Sequence, residues 1–243
     1  MSYLNFLLIF VVLPALILVA IASRRASRSG QLKRLRWHWI GTAILTVIAF
    51  VWTTPWDNYI VANGVWSYGE DRVIGVIGYV PIEEYLFFVL MPVLNSAFFA
   101  LLLLIPLERP VSTKSKQTSA RIICSVLSLA VVSTSVWLLP QERFTYLATT
   151  LAWFVPALWI QWIFDPVYLR RMIMVLAITT LVPTLYFSLA DTWAINEGIW
   201  TIHEATRTGW EIGSLPFEEA FFFFITSLLL SQGLILWHSL RPE

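Results

Sequence analysis

A bundle of seven membrane-spanning helices is the fold class this sequence predicts, and three observations predict it. Of 243 residues, 58% are hydrophobic and only 13% are charged, whereas soluble domains carry roughly 25% charged and about 45–50% apolar residues. The apolar residues gather in long runs. The basic residues gather between those runs, in alternate loops.

A membrane-crossing helix needs about 20 mostly apolar residues, within a range of roughly 17–25. Seven segments meet that requirement: Tyr3–Ala22, Trp39–Thr54, Ile82–Leu104, Ile122–Leu139, Phe144–Phe164, Met172–Leu189 and Phe217–Trp237. No basic residue precedes the first run, as one would in a cleaved signal peptide, so it reads as a retained helix. The second is short and bracketed by Trp37, Trp39, Trp52 and Trp56, like an interfacial aromatic belt. Pro14, Pro92, Pro156 and Pro183 interrupt spans. Neighbouring helices can satisfy the carbonyls that such prolines free. Cys124 reads as a small core residue.

Orientation follows from the loops. Arg24, Arg25, Arg28, Lys33, Arg34, Arg36, Arg109, Lys114, Lys116, Arg121, Arg170, Arg171 and Arg241 fall on one side of the membrane. Only Arg72, Arg143 and Arg207 fall on the other. The excess of positive charge marks the cytoplasmic face, so the N-terminus is expected outside and the C-terminus inside. A net charge of +1 argues against a nucleic-acid partner, which needs a basic excess.

The chain also repeats itself. Asp57-Asn58-Tyr59-Ile60-Val61-Ala62-Asn63-Gly64-Val65-Trp66 returns as Asp191-Thr192-Trp193-Ala194-Ile195-Asn196-Glu197-Gly198-Ile199-Trp200. Pro81-Ile82-Glu83-Glu84-Tyr85-Leu86-Phe87-Phe88 returns as Pro216-Phe217-Glu218-Glu219-Ala220-Phe221-Phe222-Phe223. Two blocks in the same order at nearly equal offsets predict two three-helix units. The units are residues 1–110 and 142–243, joined by a connector helix within 111–141. An odd connector leaves both units with the same orientation, a parallel repeat about an axis along the membrane normal. The two Glu-Glu helices should then face each other.

Pro-x-Glu-Glu is a good helix start on stability grounds alone, through proline at the first turn and acids near the positive end of the dipole. The motif nevertheless occurs twice, and each copy runs straight into apolar residues, where ionisable groups are costly and usually functional. Phe87, Phe88, Phe222 and Phe223 follow three to five residues later, near enough for a helical face to bring acid and ring together. A carboxyl against aromatic rings in a water-poor cleft tends to keep its proton and can donate it. Glu83, Glu84, Glu218 and Glu219 are therefore the candidate catalytic residues. Adjacent helical residues project about 100° apart, so one member of each pair should face the cleft while the other bonds to a neighbouring element.

Asp57, Asn58, Asp191, Asn196, Trp66 and Trp200 fall in the loops before these helices, as a candidate rim. His203, Glu204 and Arg207 occur in the second unit only. The tryptophans read more readily as interfacial anchors than as substrate-stacking groups, and the aspartates as loop caps or partners of an arginine. Asn95, Gln161 and Gln232 suit interhelical hydrogen bonds, and Asn95 could also line a channel. No dinucleotide or P-loop motif is present. His38, His203 and His238 are too scattered in sequence for a zinc site, so no metal is expected. Lys33, Lys114 and Lys116 all lie in loops, which excludes a retinal Schiff base in the last helix.

The pattern Thr53-Thr54-Pro55-Trp56-Asp57-Asn58-Tyr59, then Gly64-Val65-Trp66, then Pro81-Ile82-Glu83-Glu84-Tyr85-Leu86-Phe87-Phe88, strongly resembles the small membrane lycopene cyclases of bacteria, archaea and fungi. In some members two short subunits pair, and in others the halves are fused, the form this chain resembles. The resemblance covers both halves. The second half departs from the first where Trp193 stands for Tyr59 and Thr192 for Asn58.

The resemblance implies closure of the acyclic ends of lycopene to β-ionone rings, giving β-carotene by way of γ-carotene. The reaction it implies would be a non-redox isomerisation with no cofactor and no tightly bound FAD. The four glutamates would act as acid and base. Asp57, Asn58, Trp66, Phe87, Phe88, Asn95, Asp191, Trp200, Phe222 and Phe223 would bind substrate or support the site. The substrate would arrive from the lipid phase of a prokaryotic cell membrane, with other carotenoid-pathway enzymes as partners. A cyclase of a longer or modified carotenoid, a transporter with paired acids and a non-catalytic assembly subunit are the rival readings.

Overall fold

Backbone amides in hydrocarbon have no water to bond, so a lipid-embedded chain satisfies them within helices. The computed structural model describes residues 1–69, 71–102 and 114–240, without the side chains of 114–116. Among these residues it contains seven helices long and apolar enough to cross a membrane. They are α1 (Tyr3–Arg28), α2 (Leu32–Ala62), α3 (Ile82–Leu102), α4 (Lys114–Leu138), α5 (Thr145–Phe164), α6 (Ile173–Asn196) and α7 (Phe217–Ser239). A short helix, Pro166–Arg171, links α5 to α6, its first turn capped by Asp165. Arg109, Arg241 and the predicted end of the third helix at Leu104 lie outside the described residues, as do the side chains of Lys114 and Lys116.

Two helices run well past their predicted ends, which moves the aspartates. The 31-residue α2 continues through Pro55, and α6 extends to Asn196. Asp57 and Asp191 are therefore buried helical residues, neither loop caps nor partners of an arginine. Composition suggested a stop at Thr54 because polar residues and a proline follow it. Tertiary contacts overrule that signal: the Trp153 indole N–H donates to the Trp52 carbonyl at 2.9 Å, just before the proline. In α1 a π-helical turn spans Leu8–Val12. Pro14 has no N–H to offer the carbonyl four residues back, at Phe10, and the Tyr186 hydroxyl donates to that carbonyl at 2.7 Å.

Short strands decorate the end of the bundle where α3 and α7 begin. β1 (Trp66–Tyr68) pairs antiparallel with β4 (Trp200–Ile202). β2 (Val76–Ile77) and β3 (Val80–Pro81) form a tight hairpin leading into α3. β5 (Glu211–Ile212) and β6 (Leu215–Pro216) form another leading into α7. Gly78 and Gly213 sit at their turns with φ of 69° and 66°, a region that favours glycine over residues with a Cβ.

α3 and α7 pack against each other at the centre. Phe87 meets Phe223 with ring centroids 6.3 Å apart, and the Asn95 amide donates to the Ser227 hydroxyl at 3.1 Å. The Gln161 amide donates to the Leu229 carbonyl at 3.0 Å, tying α5 to α7. Asn95 and Gln161 thus make the interhelical bonds expected of them. Outside them, α4 leans on α5, where Trp159 donates to Ser125 and Arg121 donates to the carbonyls of Ile163 and Phe164.

At the far end, α2 and α7 are clasped together. Trp37 and Trp237 stack at 4.5 Å, and each indole N–H donates to the other's backbone carbonyl, at 3.3 and 2.8 Å. A Cβ on Gly41 would collide with Trp237, so this close approach needs glycine. Beside the clasp, His38 Nδ1 and His238 Nε2 lie 3.1 Å apart, and His38 Nε2 meets the Ser96 carbonyl at 2.9 Å. Two of the histidines that look scattered in sequence are therefore neighbours, because the fold brings the start of α2 to the end of α7. Even so, no group of three or more metal-ligating side chains forms among the described residues.

Candidate active site

Each Pro-x-Glu-Glu helix begins where its hairpin ends, and that junction sorts the glutamates. Glu83 Oε1 accepts the backbone N–H of Ile74 at 2.8 Å. Glu218 Oε1 accepts that of Thr208 at 2.7 Å. The first glutamate of each pair is spent on pinning the loop before its own helix. About 100° round the helix, Glu84 and Glu219 face a cavity between α3 and α7.

That cavity is lined by Glu84, Glu219 and Asp191 together with Tyr3, Phe6, Trp66, Tyr68, Phe87, Phe187, Trp200, Phe222 and Phe223. Its volume is about 30 Å³, room for a few water-sized groups and no more. The β1–β4 ladder roofs it. From that ladder the Trp66 indole donates to Glu219 Oε1 at 2.9 Å, and the Tyr68 hydroxyl donates to Glu84 Oε1 at 3.3 Å. The Trp200 indole donates to Asp191 Oδ1 at 2.9 Å. Tyr3 lies beside Glu84, and Tyr146 beside Glu219.

The electrostatics of this cluster are one-sided. Asp57, Glu83, Glu84, Asp191, Glu218 and Glu219 are all buried, with Asp57 at 0% exposure. No ion pair between described residues reaches any of them. Both carboxyl oxygens of Asp57 and one each of Glu83, Asp191 and Glu218 lack a hydrogen-bond partner. Uncompensated carboxylate charge in such surroundings is heavily penalised, which favours groups that hold protons. Outside the spans, burial above all pushes the Tyr68 hydroxyl well above its usual value. It stays a hydrogen-bond donor across the physiological range.

The other candidates divide. Trp66 and Trp200 are buried carboxyl partners and not interfacial anchors, because the β1–β4 pairing turns them inward. Phe87, Phe222 and Phe223 line the cavity. Phe88 lines a separate apolar groove. Asn58 stands apart, its carbonyl oxygen accepting from the Tyr79 amide at 3.0 Å and its amide donating to the Tyr85 hydroxyl, which holds the β2–β3 hairpin. Asn95 lines neither space. His203 and Glu204 are exposed, and Arg207 pairs with Glu204 and Glu211 at the rim.

Sequence reasoning missed Tyr3, Tyr68 and Tyr146. A signal for two of them exists. Tyr3-Leu4 precedes Pro14-Ala15-Leu16 as Tyr146-Leu147 precedes Pro156-Ala157-Leu158. The spacing differs by one residue, and the π turn in the first segment is where a surplus residue is absorbed.

No solved structure matches this chain. The family model described as "Lycopene cyclase" matches residues 2–102 and 143–236. The chain is 39% identical over 237 residues to a lycopene beta-cyclase of Halobacterium salinarum, covering 97% of this chain and 95% of the relative. It is 34% identical over 197 residues to a bifunctional lycopene cyclase/phytoene synthase of Aspergillus niger, covering 79% of this chain and 34% of that longer protein. A protein of the same description from Phycomyces blakesleeanus is 33% identical over 193 residues, with 76% and 32% covered. With both halves matched and near-complete coverage of a relative of its own size, this chain belongs to the lycopene cyclase family.

Proposed function

We propose that the chain performs its family's reaction at the carboxyl cavity, with Glu84 and Glu219 as acid and base. It is an enzyme acting on lycopene, and the single observation that carries the site assignment is the pairing of these two buried acids across an aromatic chamber. In the proposed reaction one carboxyl adds a proton to a terminal double bond. A neighbouring double bond attacks the resulting cation, closing the ring, and a second carboxyl removes a ring proton. One proton enters and one leaves, so the product is an isomer. Trp66, Trp200, Phe87, Phe187, Phe222 and Phe223 present π faces that stabilise the cation, and the tight aromatic enclosure limits the water that could capture it. Asp57 and Asp191 are supporting acids behind the pair. Rings formed this way at both ends give β-carotene through the one-ring γ-carotene.

The architecture behind this reading is two parallel repeats, residues 1–110 and 142–243, with α4 in the connector at 111–141. The β1–β4 ladder supports it: its central pair is Ser67 with Thr201, which are equivalents at the repeat offset, as a twofold axis requires. The excess of basic residues at the opposite end from the cavity supports an outward-facing active end in a cell membrane. The substrate would enter from lipid, and other enzymes of carotenoid synthesis would supply it.

Expression of this chain alone in a lycopene-accumulating bacterium tests the proposal. Chromatography of the pigments is expected to show lycopene replaced by one-ring and two-ring products. Unchanged lycopene beside folded protein in the membrane would overturn self-sufficient cyclisation.

A further inference from the structure

A second space adjoins the carboxyl cavity, and its walls are almost wholly apolar. It is a groove of about 560 Å³ between α2, α3, α5 and α7, well within the size range of small-molecule sites. Along α7 it runs from Phe222 to Leu240, which at 1.5 Å per residue is about 27 Å, close to the thickness of a membrane's hydrocarbon core. Phe87 and Phe222 line both spaces, so their rings stand between the groove and the acids. At the far end its lining includes Trp237 of the tryptophan clasp.

The equivalent crevice of the proposed repeat, between α1, α3, α6 and α7, is filled near the acids. Phe6 and Phe10 stack at 5.1 Å, Trp193 packs on Phe10 at 5.1 Å, and Tyr186 bonds the Phe10 carbonyl. Phe187 stacks on Phe223 at 5.6 Å. The repeat breaks at this point. Trp193 fills the space, whereas its counterpart Tyr59 is 53% exposed.

The two cavity glutamates therefore differ in surroundings. Glu219 holds Trp66, which stands edge-on to Phe222 at 6.1 Å, on the side of the open groove. Glu84 lies with Tyr3 and Tyr68, on the filled side.

Building on the cyclase reading, we propose that the groove between α2, α5 and α7 holds the extended polyene of the substrate, that it is the one crevice used, and that Glu219 is the acid its end meets. The occupant is a long, rod-shaped hydrocarbon because the groove is long and apolar and ends against the two rings that face the acids. Phe87 and Phe222 must swing aside to admit its end, since the cavity itself, at about 30 Å³, is far too small for it. The acids lie at one end of the groove, so only one end of a linear polyene reaches them per binding event. The second ring requires release and re-entry the other way round.

The test uses the full-length chain, purified in detergent from lycopene-accumulating cells, with bound pigment read by absorption and extraction. Glu219→Gln should hold roughly one lycopene per chain without cyclising it. Adding Ala157→Trp, or Ala49→Trp from the facing wall, should lower bound lycopene by about tenfold or more, because the indole occupies the volume of the chain. Leu185→Trp, at a 62% exposed position of α6, should change nothing, and gel filtration checks that each variant is folded. Full lycopene retention in both groove variants, with active single mutants, would overturn the groove while leaving the cyclase reading intact. So would extraction of lipid acyl chains in place of lycopene. Cyclisation by Glu219→Gln itself would instead overturn the acid assignment. In membranes with limiting enzyme, the one-ring pigment should appear in the bulk before the two-ring pigment. Two-ring product without free intermediate would contradict the single-ended site.

Discussion

Glu84→Gln and Glu219→Gln are each expected to lower cyclisation by about 10²–10⁴-fold, the usual contribution of a positioned proton-transfer group. The double variant should fall below detection. Glutamine keeps the size of the side chain and can still accept from Trp66 at position 219 and from Tyr68 at position 84. What it removes is the exchangeable carboxyl proton. The protein should therefore fold and insert normally while the chemistry stops. Pigment chromatography on membranes matched for protein content reads the effect, and a double variant cyclising at the normal rate would remove these residues from the mechanism.

Glu83 and Glu218 should behave in the opposite way, although they are the neighbouring residues. Each accepts a loop amide, from Ile74 and Thr208. Alanine strands that N–H in a part-buried site at Ile74 and a buried one at Thr208, at about 1–3 kcal/mol for a fully buried group and less at Ile74. The expected result for Glu83→Ala and Glu218→Ala is a lower yield of folded protein and a lower melting temperature. Glutamine retains the acceptor, so Glu83→Gln and Glu218→Gln should remain within about tenfold of normal activity, a change of up to ~1.4 kcal/mol. Activity lost in Glu83→Gln with full thermal stability would instead assign chemistry to the first glutamate of the pair. Thermal unfolding followed by size-exclusion chromatography, run beside the pigment assay, separates these outcomes.

Much of this is legible in the sequence. Seven apolar runs specify seven helices because lipid leaves the backbone no other solution, and the doubled Pro-x-Glu-Glu motif locates the acids. Helical geometry states that Glu83 and Glu84 must point differently. It does not say which points inward, because a loop amide some ten residues earlier in the chain decides it. The aspartates were misread as loop residues since Pro55 and the polar residues around it look like a helix end. α2 passes through them because the packing of α5, with Trp153 bonding the Trp52 carbonyl, supports it there. The tryptophans were misread because interfacial preference is a composition rule, and only the pairing of Trp66 with Ile202 and Tyr68 with Trp200 shows that these rings turn inward. Tyr68 left no trace in the sequence pattern, for its role depends on a ladder between segments more than 130 residues apart.

Cyclisation in heavy water tests the central claim most directly. If a buried carboxyl delivers the proton that opens the reaction, and that carboxyl is recharged from solvent between turnovers, each ring closed over many turnovers should carry one deuterium from the medium. Mass spectrometry of the extracted pigments would then show one added mass unit in the one-ring product and two in the two-ring product. Rings formed without solvent deuterium would contradict proton-initiated closure at the Glu84–Glu219 cavity.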